Sequence, residues 1–244
     1  MTTPEPKRIA VIPARGGSKR LPRKNIRAFC GKPMIGHILG VAQESNLFDI
    51  IHVSTEDDEI RDTCATLGFA PDFSRDIALS DDSTPIMPVL RFVLDAYRKR
   101  GHTFDEVWLL MACAPMIETE DLVGAAALYA ANKKAKPVLA VAPFPVPIEW
   151  AFDLDSSGKL TELQPDMFAV RSQDLAKRYF DTGTFAVFPS DYVENSTGAG
   201  NLAGFLGYEI PRYKAIDIDD WDDWDMAERM FLGSGRGTSK RAKT

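Results

Sequence analysis

An apolar stretch that runs straight into a glycine-containing basic loop is the feature that most constrains this 244-residue chain. Residues 9–12 are all apolar, so a strand formed by them would be apolar on both faces. This pattern is typical of a strand buried inside a parallel sheet. The chain then turns at Pro13 and at the glycine pair Gly16 and Gly17, where the backbone has most conformational freedom. The sequence therefore predicts a buried strand whose carboxyl end opens into a flexible loop.

The loop carries a dense positive charge. Residues 15–27 contain no acid and six basic residues, namely Arg15, Lys19, Arg20, Arg23, Lys24 and Arg27. Backbone N–H groups of a glycine loop, together with fixed positive charges, suit a polyphosphate. The spacing matches neither the Walker loop nor the Gly-x-Gly-x-x-Gly dinucleotide fingerprint. A solvated basic turn and a nucleic-acid patch are the alternatives; the net charge of −6 counts against the second.

The chain that follows alternates between helical and strand patterns. Ile35, Ile38, Leu39 and Ala42 have the spacing of a helix with one buried face, and residues 49–54 form the next apolar strand pattern. Further strands are predicted over residues 105–111 and 137–142, and further helices over 88–100 and 119–132. This order predicts an α/β fold with a mostly parallel sheet, which binds ligands outside the carboxyl ends of its strands.

A second chemical centre lies near the end of the chain. If residues 215–219 form a strand, Asp217 and Asp219 share one face, and two such close carboxylates repel each other unless a cation lies between them. Carboxylates beside phosphates suit Mg²⁺. The alternative is that the acids from Asp219 to Asp223 cap and charge the start of the final helix.

The segment Ala14-Arg-Gly-Gly-Ser-Lys-Arg-Leu-Pro-Arg-Lys-Asn25 resembles the signature loop of the nonulosonate (sialic-acid-type) cytidylyltransferases. The continuation Phe29-Cys-Gly-Lys-Pro-Met34 is similar to the branch that acts on pseudaminic acid, and the resemblance extends over residues 8–231. It implies a Rossmann-like fold of the nucleotide-diphospho-sugar transferase type, with helices on both faces of the sheet. It also implies transfer of CMP from CTP to the anomeric hydroxyl of a nine-carbon acidic sugar, with Mg²⁺ as cofactor and release of pyrophosphate.

The resemblance further implies roles for individual residues. It assigns catalysis to Arg15, Lys24, Asp217 and Asp219, and assigns the metal to the same two aspartates because their spacing matches the family's metal pair. The nucleotide would contact Ala14, Arg15, Gly16, Gly17, Ser18, Lys19, Asn25, Arg75 and Ser83. The acceptor sugar would contact Arg171, Gln173 and Asp181, in a series Arg-x-Gln-Asp-Leu and Tyr-x-Asp-x-Gly-x-Phe similar to the pseudaminic acid enzymes.

We expect one domain over residues 7–232, with a β-rich insertion over about residues 144–190 and a disordered tail over 233–244. Residues 155–159 carry a hairpin turn signal within that insertion. In the family the insertion reaches over the partner subunit of a homodimer. The alternative, a flap on a monomer, would leave Trp150, Phe152 and Phe168 as an unexplained apolar patch.

The remaining features limit the class of protein. No apolar stretch is long enough to span a membrane, and three scattered cysteines indicate reduced thiols in the cytoplasm. Met111 stands where relatives acting on sialic acid tend to have Gln, which counts against sialic acid as the acceptor. The rival interpretations are a cytidylyltransferase for sialic, legionaminic or 3-deoxy-octulosonic acid, and a nucleotide-binding homologue without catalytic activity.

Overall fold

A computed structural model of the chain describes residues 5–235, apart from residues 82, 134–135, 199 and 201–203. The strands are β1 (Arg8–Pro13), β2 (Ala28–Phe29), β3 (Lys32–Pro33), β4 (Ile50–Ser54), β5 (Glu106–Leu110), β6 (Val138–Pro143), β7 (Phe152–Leu154), β8 (Leu160–Glu162), β9 (Tyr179–Pro189) and β10 (Leu206–Glu209). The helices are α1 (Met34–Glu44), α2 (Asp58–Thr66), α3 (Ile86–Arg98), α4 (Thr119–Ala131), α5 (Ser190–Asn195) and α6 (Trp221–Gly233). None of these helices combines the length and the apolar character needed to cross a membrane.

The central sheet of the described residues has six strands in the order β10-β6-β9-β5-β1-β4. The predicted apolar strand β1 lies inside it and pairs in parallel with β4 and β5, while β10 pairs in parallel with β6. Strand β9 runs antiparallel to both of its neighbours, β5 and β6. The mostly parallel α/β sheet predicted from the sequence is confirmed.

Both faces of β1 are buried, each against a different layer of helices. Ala10 and Ile12 pack in a first core with apolar side chains of α1, α2 and α4. Ile9 and Val11 pack in a second core with side chains of α3 and α5. Because successive side chains of a strand point to opposite faces, an unbroken apolar run is what a strand covered on both faces requires.

A third, smaller apolar cluster joins the two ends of the chain. Leu21 and Phe29 from the basic loop pack against Trp224 and Phe231 of α6, and Ile218 is fully buried among them. The ring of Phe29 meets the rings of Trp224 and Phe231 edge-on, with centroids 5.2 and 5.5 Å apart. This cluster holds the acidic segment before α6 against the loop that follows β1.

Two structural predictions from the sequence are wrong: a strand over residues 215–219 and the end of the insertion at residue 190. Residues 215–219 pair with no strand of the described chain, because Ile218 packs against the basic loop and not into a sheet. The insertion does not extend to residue 190, since β9 is a strand of the central sheet, with Phe185 and Val187 buried in the first core. Gly233 ends α6, and residues 236–244 of the predicted tail lie outside the described residues.

Candidate active site

A cleft of about 380 Å³ opens where β1 and β5 end at their carboxyl sides. Residues from distant parts of the chain line it: Pro13, Arg15, Ser18, Lys24, Asn25, Arg75, Leu79, Asp81, Thr84, Ile86, Val89, Met111, Ala112, Cys113, Gly183, Asp217 and Asp219. The cationic loop near the start of the chain and the aspartate pair near its end therefore face one cavity.

Hydrogen bonds fix the course of the basic loop. The loop leaves β1 with the Ala14 N–H bonded to the carbonyl of Ser54, 2.9 Å away at the end of β4. The Asn25 side-chain amide then donates to the carbonyl of Arg15 at 3.0 Å, which closes the loop on itself. The thiol of Cys113 in turn donates to the Asn25 amide oxygen at 3.2 Å, so the end of β5 sets the orientation of that amide.

The acidic wall is placed by one buried isoleucine. Ile218 points into the third cluster, and because side chains alternate along an extended segment, its neighbours Asp217 and Asp219 face the cleft. Lys24 reaches across, with its Nζ 2.5 Å from the carbonyl of Ile218 and 3.4 Å from Oδ1 of Asp219. Arg20 donates to the other oxygen of Asp219 at 2.7 Å. The cationic loop and the acidic segment are thus in direct contact.

The two aspartates differ in their electrostatic surroundings. Burial, followed by the nearby charge of Asp219, raises the pKa of the Asp217 carboxyl above its ordinary value. Burial also opposes ionisation of Asp219, but hydrogen bonds and charge from Arg20 and Lys24 lower the pKa of that carboxyl overall. No group of three or more potential protein ligands for a metal occurs among the described residues. A cation at this pair would need further ligands from a substrate and from water.

Several predicted residues do not line the cleft. Ala14 is buried below the loop, whereas Gly16, Gly17 and Lys19 belong to the loop but not to the cavity lining. Ser83 is exposed and bonds to Asp81, and it is Asp81 and Thr84 that face the cavity.

The three predicted sugar contacts also lie outside the cleft of this single chain. Arg171 is exposed and pairs with Asp174 at 2.9 Å, and Gln173 is exposed on the same turn. Asp181, in β9, accepts a hydrogen bond from the N–H of Gly183, which does line the cavity. Of the predicted nucleotide and sugar contacts, the cleft therefore brings together Arg15, Ser18, Asn25 and Arg75.

No pattern weighed in the sequence pointed to Cys113 and Asp81, which line the cleft, or to Glu56, which bonds to the Gly16 N–H of the basic loop. Cys113 follows β5 and Glu56 follows β4, so the rule that ligands bind at the carboxyl ends of parallel strands would have selected both. Asp81 follows the short 3-10 turn over Ile77–Leu79, and no pattern marks it.

Comparison with known proteins identifies relatives of this chain. The family described as Cytidylyltransferase matches residues 9–186. A pseudaminic acid cytidylyltransferase from Campylobacter jejuni is 32% identical over 92% of this chain and 96% of its own length. A CMP-N,N'-diacetyllegionaminic acid synthase from Legionella pneumophila is 29% identical over 91% of this chain and 95% of its own.

The fold matches a solved structure of a more distant protein. A CMP:2-keto-3-deoxy-manno-octonic acid synthetase in complex with CTP aligns with a TM-score of 0.67 at 16% identity, covering 93% of this chain and 99% of the other. At that identity the likeness concerns the fold alone. The family match spans most of the chain, including β1, its loop and most of β9. The chain belongs to the cytidylyltransferase family.

Proposed function

We propose that this nucleotidyltransferase moves CMP from CTP to the anomeric hydroxyl of a nonulosonic acid, with pseudaminic acid as the favoured acceptor. The observation that carries the proposal is the meeting of the basic loop and the aspartate pair at one cleft. The similarity to the Campylobacter jejuni relative supports the choice of acceptor. Met111, which lines the cleft and stands where relatives acting on sialic acid tend to have Gln, counts against sialic acid. The proposed compartment is the cytoplasm, where the three free cysteines would stay reduced.

In the proposed reaction the anomeric oxygen of the acceptor forms a bond to the α-phosphorus of CTP and releases its proton to water. The bond between that phosphorus and the bridging oxygen breaks, and pyrophosphate leaves with the electron pair. Arg15, Ser18 and Lys19 would hold the triphosphate through charge and hydrogen bonds, and Asn25 and Arg75 would contact the nucleoside. Lys24, at the junction of loop and acids, would neutralise the charge that develops at the α-phosphate.

Mg²⁺ is the proposed cofactor, and Asp217 and Asp219 would hold it. Their fit rests on two neighbouring carboxylates whose mutual repulsion a cation would relieve. Mg²⁺ is usually bound through one or two carboxylates together with substrate phosphates and water, which agrees with the absence of any group of three or more potential protein ligands among the described residues. When bound, the ion supplies Lewis-acid stabilisation of the phosphoryl oxygens.

The acceptor side of the site is proposed to form in a homodimer. Arg171 would pair with the sugar carboxylate because a guanidinium matches a carboxylate in a bidentate fork, and Gln173 and Asp181 would bind hydroxyl or amide groups. The region around Arg171 exposes Leu160, Leu163 and Phe168, each 57% exposed. Such a surface is what a second subunit would cover.

An acceptor screen tests the proposed function. The purified protein is incubated with CTP, Mg²⁺ and, separately, pseudaminic, legionaminic, sialic and 3-deoxy-octulosonic acids, and pyrophosphate release is measured. We expect the highest kcat/KM with pseudaminic acid. A clear preference for legionaminic acid would change the acceptor but keep the reaction. CTP binding by calorimetry without pyrophosphate release for any acceptor would identify a nucleotide-binding homologue without catalytic activity.

Substitution of Lys24 tests the proposed catalytic role. The side chain of Lys24 is only 18% exposed and its Nζ contacts the acidic wall, so Lys24→Met removes one preorganised charge while keeping most of the stem. We expect kcat to fall roughly a hundredfold or more. Lys99→Met, at the exposed carboxyl end of α3, is the matched control and should leave kcat unchanged. Full activity of Lys24→Met would remove Lys24 from the catalytic machinery.

A further inference from the structure

Glu56 is an acid in the turn after β4, separated from that strand by Thr55. It lies beside the start of the basic loop. Strands β4 and β1 are adjacent and parallel, so their carboxyl ends lie at the same edge of the sheet. This register brings the turn after β4 under the loop after β1.

The carboxylate of Glu56 is shared between two parts of the cleft wall. Its Oε1 accepts the backbone N–H of Gly16 at 2.9 Å, and its Oε2 accepts Nη2 of Arg75 at 2.5 Å. The side chains of Glu56 and Arg75 are 13% and 4% exposed, so both charges are largely removed from water. A buried guanidinium is costly without its carboxylate partner, which makes this pair sensitive to loss of either member.

Arg75 makes two further hydrogen bonds, one of them to the turn after β4. The backbone N–H of Arg75 donates to the carbonyl of Thr55 at 2.8 Å, and Nε of Arg75 donates to the hydroxyl of Ser80 at 3.1 Å. Burial alone would raise the pKa of Glu56, but the hydrogen bonds from Gly16 and Arg75 lower it below its ordinary value. The carboxylate is therefore ionised at neutral pH, the state in which it accepts from both partners at once.

Glu56 does not itself line the cavity, whereas Arg75 and the neighbour of Gly16, Arg15, both do. Any influence of Glu56 on a bound nucleotide must then pass through these groups. We propose that Glu56 is a positioning residue that holds the basic loop and Arg75 in one fixed geometry, so that a nucleotide meets both at once. This inference rests on the proposed function, in which loop and arginine contact the same CTP molecule.

The test compares Glu56→Gln with the wild type. A glutamine presents one carbonyl oxygen, which satisfies either Gly16 or Arg75 but not both, and its amide N–H groups oppose the remaining donor. We expect KM for CTP to rise roughly tenfold or more, with a smaller change in kcat. Asp58→Asn is the matched control, since Asp58 is an exposed acid of the same turn that pairs with Arg61 and should leave KM unchanged.

Two further measurements separate positioning from a purely structural role. In an Arg75→Gln background the effect of Glu56→Gln on KM should shrink, because the two residues act on one contact. Discrimination between CTP and UTP should also weaken in Glu56→Gln if the base contact of Arg75 is displaced. A lowered melting temperature with unchanged KM and unchanged discrimination would overturn the inference.

Glu56→Asp keeps the test decisive if Glu56→Gln does not fold. Aspartate retains the charge but is one methylene shorter, so it loses one of the two partners, and KM for CTP should again rise more than kcat changes. An unchanged KM in Glu56→Asp would overturn this inference and leave the proposed function standing. Failure of the wild type to bind CTP by calorimetry would instead overturn the proposed function, and this inference with it.

Discussion

Gly16 and Gly17 are adjacent in the basic loop, but only one of them is required by the space around it. A Cβ atom on Gly16 would lie 2.1 Å from Oδ2 of Asp57, and nothing lies within 4 Å of the corresponding position on Gly17. Asp57 cannot easily move away, since its Oδ1 caps α2 through the N–H of Ile60 and its Oδ2 accepts from Arg23. A single missing methyl group therefore allows the loop to lie on the turn after β4.

Alanine substitutions should separate the two glycines. Gly16→Ala forces Asp57 away from both partners, and we expect a loss of about 1–3 kcal/mol in the free energy of unfolding, as for other overpacked sites. Weaker CTP binding should accompany the loss. Gly17→Ala is the control, and its midpoint of unfolding in urea should equal that of the wild type. Equal stability of the two variants in urea titrations would contradict this account of the loop.

At the scale of elements, the sequence was sufficient to predict a strand or helix wherever one short pattern determined that element. The apolar run of residues 9–12 predicted β1, and the helical spacing from Ile35 to Ala42 predicted α1. The alternation at residues 215–219 was correct about which side chains share a face but wrong about a strand, because a ladder needs a neighbour that local sequence does not reveal.

Long-range contacts account for the other differences between sequence and structure. That β9 enters the sheet between β5 and β6 depends on pairing with residues at least 36 positions away along the chain. The Glu56 contacts likewise depend on the pairing of β4 with β1, which no short motif records. The resemblance to a known loop pointed to Arg15, Lys24 and the aspartates, but not to the residues that hold them in place.

The segment that carries the aspartate pair is anchored by a buried lysine. Lys214 is 5% exposed and bonds to Glu118 and Asp121 at the start of α4, with distances of 2.5 and 2.6 Å. Lys214→Met leaves the buried Asp121 without its cationic partner, and we expect a loss of about 3–5 kcal/mol in the free energy of unfolding. Lys177→Met, which breaks an exposed pair with Glu209, should cost far less, because solvent screens exposed ion pairs. Urea titrations that show similar losses for both would refute the anchoring role.

A buried histidine on β4 should make stability depend on pH. Burial lowers the pKa of His52 from 6.5 to about 4, with Asp72 opposing and Arg100 reinforcing the shift. Because the folded pKa lies below the unfolded one, the contribution to stability is complete above about pH 6.5 and is lost as the pH falls toward 4. Between pH 7 and pH 4.5 we expect His52 to account for a loss of about 2 kcal/mol.

The His52 prediction is checked by measuring the free energy of unfolding at both pH values. In His52→Gln, which does not titrate in this range, the difference between the two pH values should be about 2 kcal/mol smaller than in the wild type. Tyr97, whose hydroxyl lies 3.2 Å from Nδ1 of His52, stays in place in both proteins. An unchanged difference would show that His52 does not supply the pH dependence.

At the scale of the whole molecule, apolar surface is concentrated outside the central sheet. The hairpin of β7 and β8 is exposed along its length, and Leu154, Leu160 and Phe168 are each more than half exposed. Patches of this kind on soluble enzymes usually mark an interface. The proposed homodimer places the hairpin there, close to the predicted sugar contact Arg171.

A charge on this hairpin should separate the subunits. We expect the wild type to elute as a dimer by size exclusion with light scattering, and Leu160→Asp to shift the mass toward that of one chain at the same concentration. Thr161→Asp adds the same charge at the adjacent residue, so it reports whether the effect belongs to the apolar side chain. A monomeric wild type would refute the dimer, and a dimeric Leu160→Asp would place the interface elsewhere.

The packing of α6 on the basic loop has a consequence for the order of events during synthesis. Ile218, Trp224 and Phe231 hold the acidic wall in place, and they are among the last residues of the described chain to leave the ribosome. The strands that carry the cationic half emerge about two hundred residues earlier. A nascent chain that has not yet reached α6 therefore possesses the positive half of the cleft without its negative half, and the enzyme becomes competent only after α6 has been synthesised.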